Sequence, residues 1–326
     1  MGSTDRDFSD IPSDKYTSLF KSSNVTNKPQ WRRDQRTVKP LYGVEQDTTV
    51  CSLRFDLPND IGPPVLLYYR LTNFYQNHRR YVKSLNTEQL LGKALDNDTI
   101  NRSACDPLKL NATSKKPYYP CGLIANSLFN DTINTPTAIT APGRPDGLAT
   151  YPMTNKGIAW SSDDQLYKKT AYRREHVEPP PNWRNRYPDG YTAENDIPDI
   201  SQYEELQVWM RTAGLPTFSK LARRNDNLTM QAGTYQIDVY DCRLLRPFFK
   251  SCLTTHRFPC RCLWWDEINF ALYTYCHGWQ EPIPRNRLRG RGWHMCSTGC
   301  LVHNCSSHQT EVSEKVPFNP PSVILT

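Results

Sequence analysis

The side chains with the greatest capacity for directed contacts are concentrated between Tyr68 and Ser84. This stretch contains four Tyr, three Arg, two Asn, one Gln and one His. Tyr rings bury well and keep a polar tip, while amide and guanidinium groups offer several hydrogen-bond donors in fixed geometry. Such a mixture does not suit a plain core strand. It predicts either a locally satisfied loop over a β-rich core or a recognition surface.

A catalytic set is not evident in the sequence. His78 has no nucleophile or carboxylate close to it along the chain, so a structural role as a donor is favoured over a role as a base. The pairs Asp163-Asp164 and Glu204-Glu205 fit solvated or capping roles better than the roles of paired general acids. No Gly-rich phosphate loop occurs. We therefore predict no catalytic residues and no cofactor.

A cluster of potential zinc ligands lies near the end of the chain. Zinc prefers thiolate and imidazole ligands, and both are present. The members of the cluster are His294, Cys296, Cys300, His303, Cys305 and His308. Their spacing matches no standard paired arrangement, so we predict no metal site.

The net charge of +7 comes from 40 Lys and Arg against 33 Asp and Glu. After Asp241 there are 10 basic and 5 acidic residues, which leaves 30 and 28 before that point. An excess of two positive charges over the first part is too weak for a phosphate-binding face. We therefore predict no nucleic-acid partner.

The first part of the chain is rich in acceptor sequons for N-glycosylation, which favours a lumenal or extracellular history. The sequons begin at Asn24, Asn97, Asn101, Asn111, Asn130 and Asn227. In contrast, no stretch approaches the roughly 20 consecutive apolar residues of a membrane helix. The N-terminus also lacks the apolar core of a signal peptide. Sequons without an export signal are a contradiction that needs an explanation.

Hydrophobic periodicity predicts a β-rich core. Apolar and polar residues alternate around Leu53 and Phe55, and Val65 to Leu71 reads as a second strand. Alternation around Ile237 indicates a last strand. The side chains that we expect to be largely buried are Leu53, Phe55, Leu67, Tyr69, Trp209 and Val239. The prediction is an antiparallel β-core with long loops and a few short helices.

One amphipathic helix is predicted between Ser201 and Gly214. Ser201 and Glu204 have the spacing of a capping box, and Leu206, Trp209, Met210 and Ala213 follow at helical spacing. Gly214 with the following Pro216 is a typical end signal.

Five segments, taken together and in order, resemble one protein family. They are residues 71–84 (LTNFYQNHRRYVKS), 120–132 (PCGLIANSLFNDT), 157–160 (GIAW), 182–183 (NW) and 208–218 (VWMRTAGLPTF). They resemble the accessory (beta) subunits of type-IV P-type ATPases, the phospholipid flippases. This is the cell-division-cycle-fifty / ligand-effect-modulator family. The resemblance covers roughly residues 8–241, and residues 11–16 resemble its fungal branch.

The resemblance implies a mainly β (α+β) fold and a non-catalytic function. An antiparallel β-sandwich-like exoplasmic domain would occupy residues 45–241, after an irregular segment at residues 1–44. The partner would be a type-IV P-type ATPase catalytic subunit in a heterodimer, with phospholipid contacted indirectly. The subunit would support folding, endoplasmic-reticulum export and lipid flipping by that ATPase. The domain would face the lumen or the cell exterior, in the endoplasmic reticulum, the Golgi or endosomes, or at the plasma membrane.

The resemblance also implies roles for single residues. Cys105 and Cys121 would close a disulfide, with two free thiols as the alternative. Cys51 would remain a thiol, because its family partner would lie upstream of residue 1. The candidate partner interface, or the brace beneath it, would be formed by Tyr75, Gln76, Asn77, His78, Arg79, Arg80 and Tyr81.

Two other functions remain as alternatives. The first is a secreted glycoprotein module that binds glycans or cell-wall material through exposed Tyr and Trp. The second is a hydrolase with Glu and Asp pairs in its loops.

Residues 242–326 differ in character from the rest and contain eight of the 11 Cys. A one-base shift of the reading frame forces Gly at Trp264-Trp265 and at Trp279-Gln280. A consistent codon choice then gives a sequence that resembles the last strand and second membrane helix of the family. We interpret the tail as an out-of-frame translation and predict that it has no compact fold. Membrane helices missing from both ends would also reconcile the sequons with the absent export signal.

Overall fold

The computed structural model describes residues 7–20, 27–38, 46–140, 149–184, 186–241, 268–274 and 323–325. All of these residues belong to one unit, which comprises Met1–Tyr275 and Pro320–Thr326. A second unit, Cys276–Asn319, lies outside the described residues. Within the described ranges, every helix is too short or too polar to cross a bilayer.

Twelve strands of the described chain form two sheets. Their bounds are β1 Ser9–Asp10, β2 Tyr16–Ser18, β3 Gln30–Val38, β4 Gln46–Leu57, β5 Val65–Leu71, β6 Thr132–Ile133, β7 Thr137–Thr140, β8 Ala149–Thr150, β9 Phe218–Asn225, β10 Gly233–Asp241, β11 Ile268–Thr274 and β12 Val323–Leu325. The first sheet has the order β1-β3-β4-β10-β7-β8, with β6 also paired to β10. The second has the order β2-β12-β11-β5-β9. Neighbouring strands are antiparallel, except that β12 runs parallel to β11 and β2.

Alternating side chains on the central strands build one core from both sheets. Along β5 every second residue is buried, which places Leu67 and Tyr69 inside. The first sheet contributes Leu53 and Phe55 of β4 and Ile237 of β10 to the same core. Burial of each such side chain contributes about 1.5–3 kcal/mol. The predicted antiparallel β fold is confirmed, and all six residues that the sequence places inside are buried: Leu53, Phe55, Leu67, Tyr69, Trp209 and Val239.

The helices of the described chain are short and lie in the connections. The α-helices are α1 Arg79–Lys83, α2 Thr87–Leu90, α3 Asn97–Arg102, α4 Leu123–Asn126 and α5 Glu204–Met210. Single 3₁₀ turns occupy Ser13–Lys15, Ser161–Asp163, Arg174–His176 and Pro181–Trp183. Helices of this length cannot hold their shape through their own hydrogen bonds, so packing must fix them.

The capping box predicted at the start of α5 is wrong. Tyr203 is the N-cap residue, and its side chain makes no capping hydrogen bond. The Ser201 hydroxyl donates instead to Asp199 Oδ1 at 2.6 Å. This carboxylate is a charged acceptor, which makes the hydrogen bond stronger than one between neutral groups. The helix also ends earlier than the predicted Gly214, since Arg211 already has extended backbone.

The segment 1–44, predicted to be irregular, contains regular structure. Its strand β3 pairs with β4 over nine residues, from Gln30 opposite Arg54 to Val38 opposite Gln46. The charged composition of β3 hides this strand from pattern analysis. Its Arg32 side chain lies 4.7 Å from the ring centroid of Phe8, so charged residues here cover the sheet rather than leaving it.

The segment 242–326 contributes two strands to the second sheet. Strand β11 pairs with β5, from Ile268 opposite Leu71 to Thr274 opposite Val65. Strand β12 lies between β11 and β2. The remaining residues of this segment lie outside the described part of the chain, so its predicted lack of a compact fold stays a prediction.

A disulfide joins Cys105 to Cys121, as predicted. Both cysteines pack with Ile100 and Tyr118 in a small hydrophobic cluster separate from the main core. The bond closes a loop of 16 residues that contains no long element of its own. The covalent link stabilises the fold by restricting this loop in the unfolded chain.

Replacement of Cys105 and Cys121 by Ala together should lower the free energy of unfolding by roughly 3 kcal/mol, since a loop of this length loses that much restriction. Urea unfolding under oxidising conditions measures the change. Cys51→Ala, a half-buried position in β4, is the control and should cost less than about 1 kcal/mol. An equal loss in both variants, or a wild type indifferent to reductant, would contradict the assignment.

Candidate partner interface

Four of the five sequence segments that carry the family resemblance meet at α4, and the fifth, residues 157–160, is attached to α5. The indole Nε1 of Trp209 donates to the carbonyl of Ile124 at 2.9 Å. The indole Nε1 of Trp183 donates to the carbonyl of Ala125 at 2.8 Å. Both indoles are buried, so these hydrogen bonds satisfy helix carbonyls that have no access to water. Motifs far apart in sequence therefore form one structural cluster.

Gly122 allows the run 71–84 to approach α4 closely. Its backbone has a φ of 99°, and a Cβ atom there would collide with the carbonyl oxygen of Ser84. The Ser84 hydroxyl accepts from the backbone N–H of Leu123 at 2.8 Å and donates to the carbonyl of Asp106 at 2.6 Å. Only glycine combines this backbone conformation with this space.

Gln76 and Tyr81 lie beneath the surface and brace it. Gln76 is completely buried, and its Oε1 accepts from the backbone N–H of Ala213 at 2.8 Å. The Tyr81 hydroxyl pairs with Ser127 Oγ at 2.8 Å, and Gln76 Nε2 donates to the same hydroxyl at 3.5 Å. Burial raises the pKa of Tyr81 to about 12, so this hydroxyl keeps its proton. Burial of these two residues favours the second of the two roles expected for the run, that of a brace, and contact of the run with a partner stays a prediction.

Phe74 and Asn77 hold the run against residues 211–217. The Phe74 ring lies 5.5 Å from Trp209, and its backbone N–H donates to the carbonyl of Pro216 at 3.0 Å. Asn77 Nδ2 donates to the carbonyl of Gly214 at 3.0 Å. Two separate hydrogen bonds and an aromatic contact thus fix the relative position of the two loops.

The outer side of this assembly exposes a mixed basic and apolar surface. Tyr75 is 43% exposed and Leu215 is 69% exposed. His78, Arg79 and Arg80 are exposed as well. Neither arginine side chain forms an ion pair or hydrogen bond with another residue that the structure describes. We call Tyr75, His78, Arg79, Arg80 and Leu215 the basic-aromatic surface.

The Gly157–Trp160 segment is attached to α5 by an acidic side chain. Glu204 Oε2 accepts from the backbone N–H groups of Ile158 at 2.8 Å and Ala159 at 3.1 Å. Asp163 is buried and accepts from Arg211 Nη2 at 2.5 Å. These carboxylates therefore have structural partners, and the buried ion pair of Asp163 differs from the solvated or capping role that the sequence analysis expected.

Trp160 is an exposed aromatic residue that stacks on Arg211. The guanidinium of Arg211 lies 3.9 Å from the Trp160 ring centroid, while the indole remains 64% exposed. Stacking on a large exposed aromatic ring holds the arginine in place without hiding it. The sequence analysis could not predict the contact between Trp160 and Arg211, because the two residues are 51 positions apart.

Lys220 fixes the end of α5 from the neighbouring strand β9. Its ammonium is buried and donates to the carbonyls of Val208, at 2.9 Å, and Arg211. Burial, and to a lesser degree the nearby charge of Arg211, lowers its pKa from 10.5 to about 8. A lysine at a helix C-terminus complements the partial negative charge there. No sequence pattern singled out Lys220, since the contact is made across elements.

The predicted glycosylation sites differ in exposure. Asn97, Asn101 and Asn227 are exposed, whereas Asn111 and Asn130 are half-buried. The Nδ2 atom of Asn111 donates to Glu178 Oε2 at 2.5 Å. Asn24 lies outside the described residues. Their use as acceptors stays a prediction.

Of the predictions for cysteine and histidine residues, the one for Cys51 falls within the described residues and the one for the zinc ligands does not. Cys51 is half-buried in β4 and forms no disulfide with either of the other described cysteines. The zinc-ligand candidates between His294 and His308 lie outside the described residues. Among the residues that are described, no group of three or more His, Cys, Asp or Glu is placed to hold a metal ion.

These features define a class: a mainly β domain with the Cys105–Cys121 disulfide, whose short helices and loops pack into one cluster beneath a basic-aromatic surface. The profile of the LEM3 (ligand-effect modulator 3) family / CDC50 family matches residues 10–245. The chain belongs to this family.

Individual relatives agree with that assignment. The phospholipid-transporting ATPase accessory subunit CDC50 of Chaetomium thermophilum is 43% identical over 237 residues, which are 72% of this chain and 58% of the relative. The accessory subunit CRF1 of Saccharomyces cerevisiae is 43% identical over 232 residues, 71% of this chain and 55% of the relative. Cell cycle control protein 50A of Bos taurus is 38% identical over 58% of this chain and 54% of its own length. The chain thus spans little more than half the length of these relatives.

Substitution of Gln76 by Leu should lower the free energy of unfolding by about 1–3 kcal/mol, because the part-buried backbone N–H of Ala213 would lose its acceptor and the apolar side chain cannot replace it. Chemical denaturation measures the loss. Asn77→Ala is the neighbouring control: its acceptor, the carbonyl of Gly214, is reached from an exposed side chain and can bind water instead. Equal losses at the two positions would refute the bracing role of Gln76.

The stability difference between wild type and Lys220→Met should depend on pH. Because the pKa of Lys220 is about 8 in the folded chain and 10.5 in the unfolded one, the unfolded chain binds more protons between these values. Wild-type stability should therefore rise relative to the Met variant, by on the order of 1–3 kcal/mol, as pH increases from 8 to 10. Denaturant unfolding at several pH values measures the difference. A difference that does not change with pH would show that Lys220 titrates normally.

Proposed function

We propose that this chain is a non-catalytic accessory subunit of a phospholipid-transporting ATPase. Its family membership and the names of its fungal relatives, which are accessory subunits of phospholipid-transporting ATPases, support this role. The observation that carries the proposal is the basic-aromatic surface, because two exposed arginines stand unpaired on a rigid support. A surface of that kind suits a protein partner better than a substrate.

The charge of the surface indicates the chemistry of the partner. Residues 71–86 contain Arg79, Arg80 and Lys83 and no Asp or Glu. A partner with carboxylates or clustered backbone carbonyls in its exoplasmic loops would complement them. The planar guanidinium fork can bind a carboxylate through two parallel hydrogen bonds, which a lysine cannot do. The partner we propose is the catalytic subunit of a type-IV P-type ATPase, in a heterodimer.

Preorganisation makes the surface suitable for tight binding. The braces at Gln76, Asn77 and Phe74 fix the loops before the partner arrives. Less conformational entropy is then lost on association. A charge-assisted contact that becomes buried contributes on the order of 1.5–3 kcal/mol, a tenfold change in assembly or more.

The same proposal includes the compartment. The sequons and the disulfide suit the oxidising lumen of the secretory pathway. The domain would lie on the lumenal or extracellular side of the endoplasmic reticulum, of the Golgi or endosomes, or of the plasma membrane. There it would support folding of the ATPase, its export and its lipid flipping.

A second candidate function is a secreted module that binds glycans. The specific observation in its favour is the exposure of Trp160 and Tyr75, since aromatic rings at a surface stack on sugars. Saturable binding of cell-wall oligosaccharides by the chain, lost in Trp160→Ala, would favour this function. Independence of glycan binding from Arg79 and Arg80 would separate it from the first.

Replacement of Arg79 or Arg80 by Ala should weaken assembly with the ATPase at least tenfold. The variants are placed in a full-length chain that carries the membrane helices of the family, and co-purification and lipid flipping are measured. Both side chains are exposed and unpaired among the described residues, so the domain should fold and leave quality control normally. Arg173→Ala, another exposed arginine, is the control.

Two outcomes would contradict this expectation. Misfolding of both arginine variants would assign the run a structural role alone. Normal assembly and flipping in both would remove the run from the interface.

A further inference from the structure

A small cavity lies between the ends of the two sheets, close to α5. Its volume is about 50 Å³. Strands β5, β6 and β9, helix α5 and the segment after α4 supply its walls. One water molecule needs roughly 10–15 Å³ of such space, so the cavity has room for about five non-hydrogen atoms, the number in an ammonium and a carboxylate joined by one carbon. Any further part of a ligand would have to extend past the half-buried residues of the wall.

An irregularity in β9 turns this strand toward the cavity. Leu221, Ala222 and Arg223 are consecutive in the strand, yet all three line the cavity. Regular alternation would point the middle residue away from the other two. The register with β5 shifts at this point, between the pairs Leu67–Arg223 and Tyr68–Leu221. A bulge of this kind re-aims side chains and is frequent beside binding sites.

Arg223 brings hydrogen-bond donors that have no protein acceptor. Its Nε donates to the carbonyl of Ile133 at 2.8 Å, which fixes the side chain. The other four N–H groups of the guanidinium contact no acceptor among the described residues. Burial lowers the pKa of Arg223, an effect that the charge of Glu205 opposes. A guanidinium held in this way is complementary to a carboxylate.

Glu205 brings the opposite charge to the same wall. Its Oε1 accepts from Asn155 Nδ2 at 3.1 Å, while Oε2 has no partner among the residues that the structure describes. Arg223 and Glu205 form no ion pair with each other, although both line the cavity. Both are half-buried rather than enclosed, so a small solute can reach them. Their charges remain available to a ligand that has one group for each.

Tyr69 provides a hydroxyl at the base of the cavity. The residue is 5% exposed, and its ring stacks on Phe129 with the ring centroids 4.0 Å apart. Its hydroxyl makes no hydrogen bond to the described chain. Burial, followed by the nearby Glu205, raises the pKa of Tyr69 well above its usual value, so the hydroxyl keeps its proton. Because Tyr69 lines the cavity, this protonated hydroxyl can donate to a group bound there.

From these groups we infer that the cavity is a binding site for a small zwitterion with an ammonium group next to a carboxylate. The carboxylate would bind the free end of Arg223 and the Tyr69 hydroxyl, and the ammonium would bind Glu205. Arg186 and Asp131 also line the cavity, but both make interactions with other residues. One positive and one negative group, Arg223 and Glu205, therefore remain for a ligand, and a charge that enters the cavity needs an opposite charge to pair with. Free α-amino acids and the serine headgroup of a phospholipid share this chemistry.

Calorimetric titration of the full chain with glycine and L-serine tests the inference. Saturable binding is expected, and Arg223→Gln and Glu205→Gln should each weaken it at least tenfold. Arg173→Gln, an exposed arginine away from the cavity, should leave it unchanged. Acetate and methylamine, which each carry one of the two charges, should bind at least tenfold more weakly than glycine. This comparison of ligands decides the question even if a variant fails to fold.

Vesicles distinguish the two sources of the ligand. Competition with glycine by phosphatidylserine vesicles, but not by phosphatidylcholine vesicles, would assign the site to a lipid headgroup. Glycine binding without such competition would assign it to a free amino acid. Absence of saturable binding by both glycine and serine, or equal binding of glycine, acetate and methylamine, would overturn the inference and leave a water-filled cavity. None of these outcomes depends on the interface proposed for Arg79 and Arg80.

Discussion

The structure depends on how the carbonyl groups of one very short helix are satisfied. A helix leaves its last four carbonyls without partners, and α4 has only four residues. Since Ile124 and Ala125 are buried, water cannot supply donors to them. Local donors are Ser127 Oγ, at 3.1 Å from the Ile124 carbonyl, and the Leu128 N–H, at 3.2 Å from the Ala125 carbonyl. The indoles of Trp209 and Trp183 add a shorter hydrogen bond to each carbonyl, from α5 and from a 3₁₀ turn. A buried indole N–H without an acceptor would cost about 1–3 kcal/mol, so these two bonds fix where the surrounding segments must lie.

The exposed surface follows from that arrangement. Trp209 positions the Phe74 ring, and Phe74 positions the loop that carries Tyr75 and the arginines. Lys220 then fixes the start of the facing loop at the end of α5. The residues that can meet a partner are thus separated from the residues that carry the stability. This separation is why substitution of a surface arginine and substitution of a buried amide should have different consequences.

The sequence predicts the sheets better than it predicts the cluster. Strands β4, β5 and β10 follow from alternation alone, because burial of one face of a strand makes every second residue apolar. Alternation does not predict strand β3, since charged side chains cover its face. It does not predict the burial of Gln76 either, because that burial depends on the N–H of Ala213, 137 residues away. The end of α5 is set by Lys220 and not by the Gly-Pro signal. Contacts between distant segments leave no local pattern. The composition of residues 68–84 indicates either a satisfied loop or a recognition surface, and only the motif resemblance connects this run with the other segments.

Helix α5 lies between the cavity and the basic-aromatic surface and links them physically. Glu205 of this helix lines the cavity, and Trp209 of the same helix packs on Phe74, which supports the loop of Tyr75. Tyr69 on the cavity wall stacks on Phe129, which lies three residues after the end of α4. A ligand that orders Glu205 would therefore order the same helix that supports the surface. Coupling of this kind needs no change in shape, because a helix already fixed at one end loses less entropy when its other end is bound.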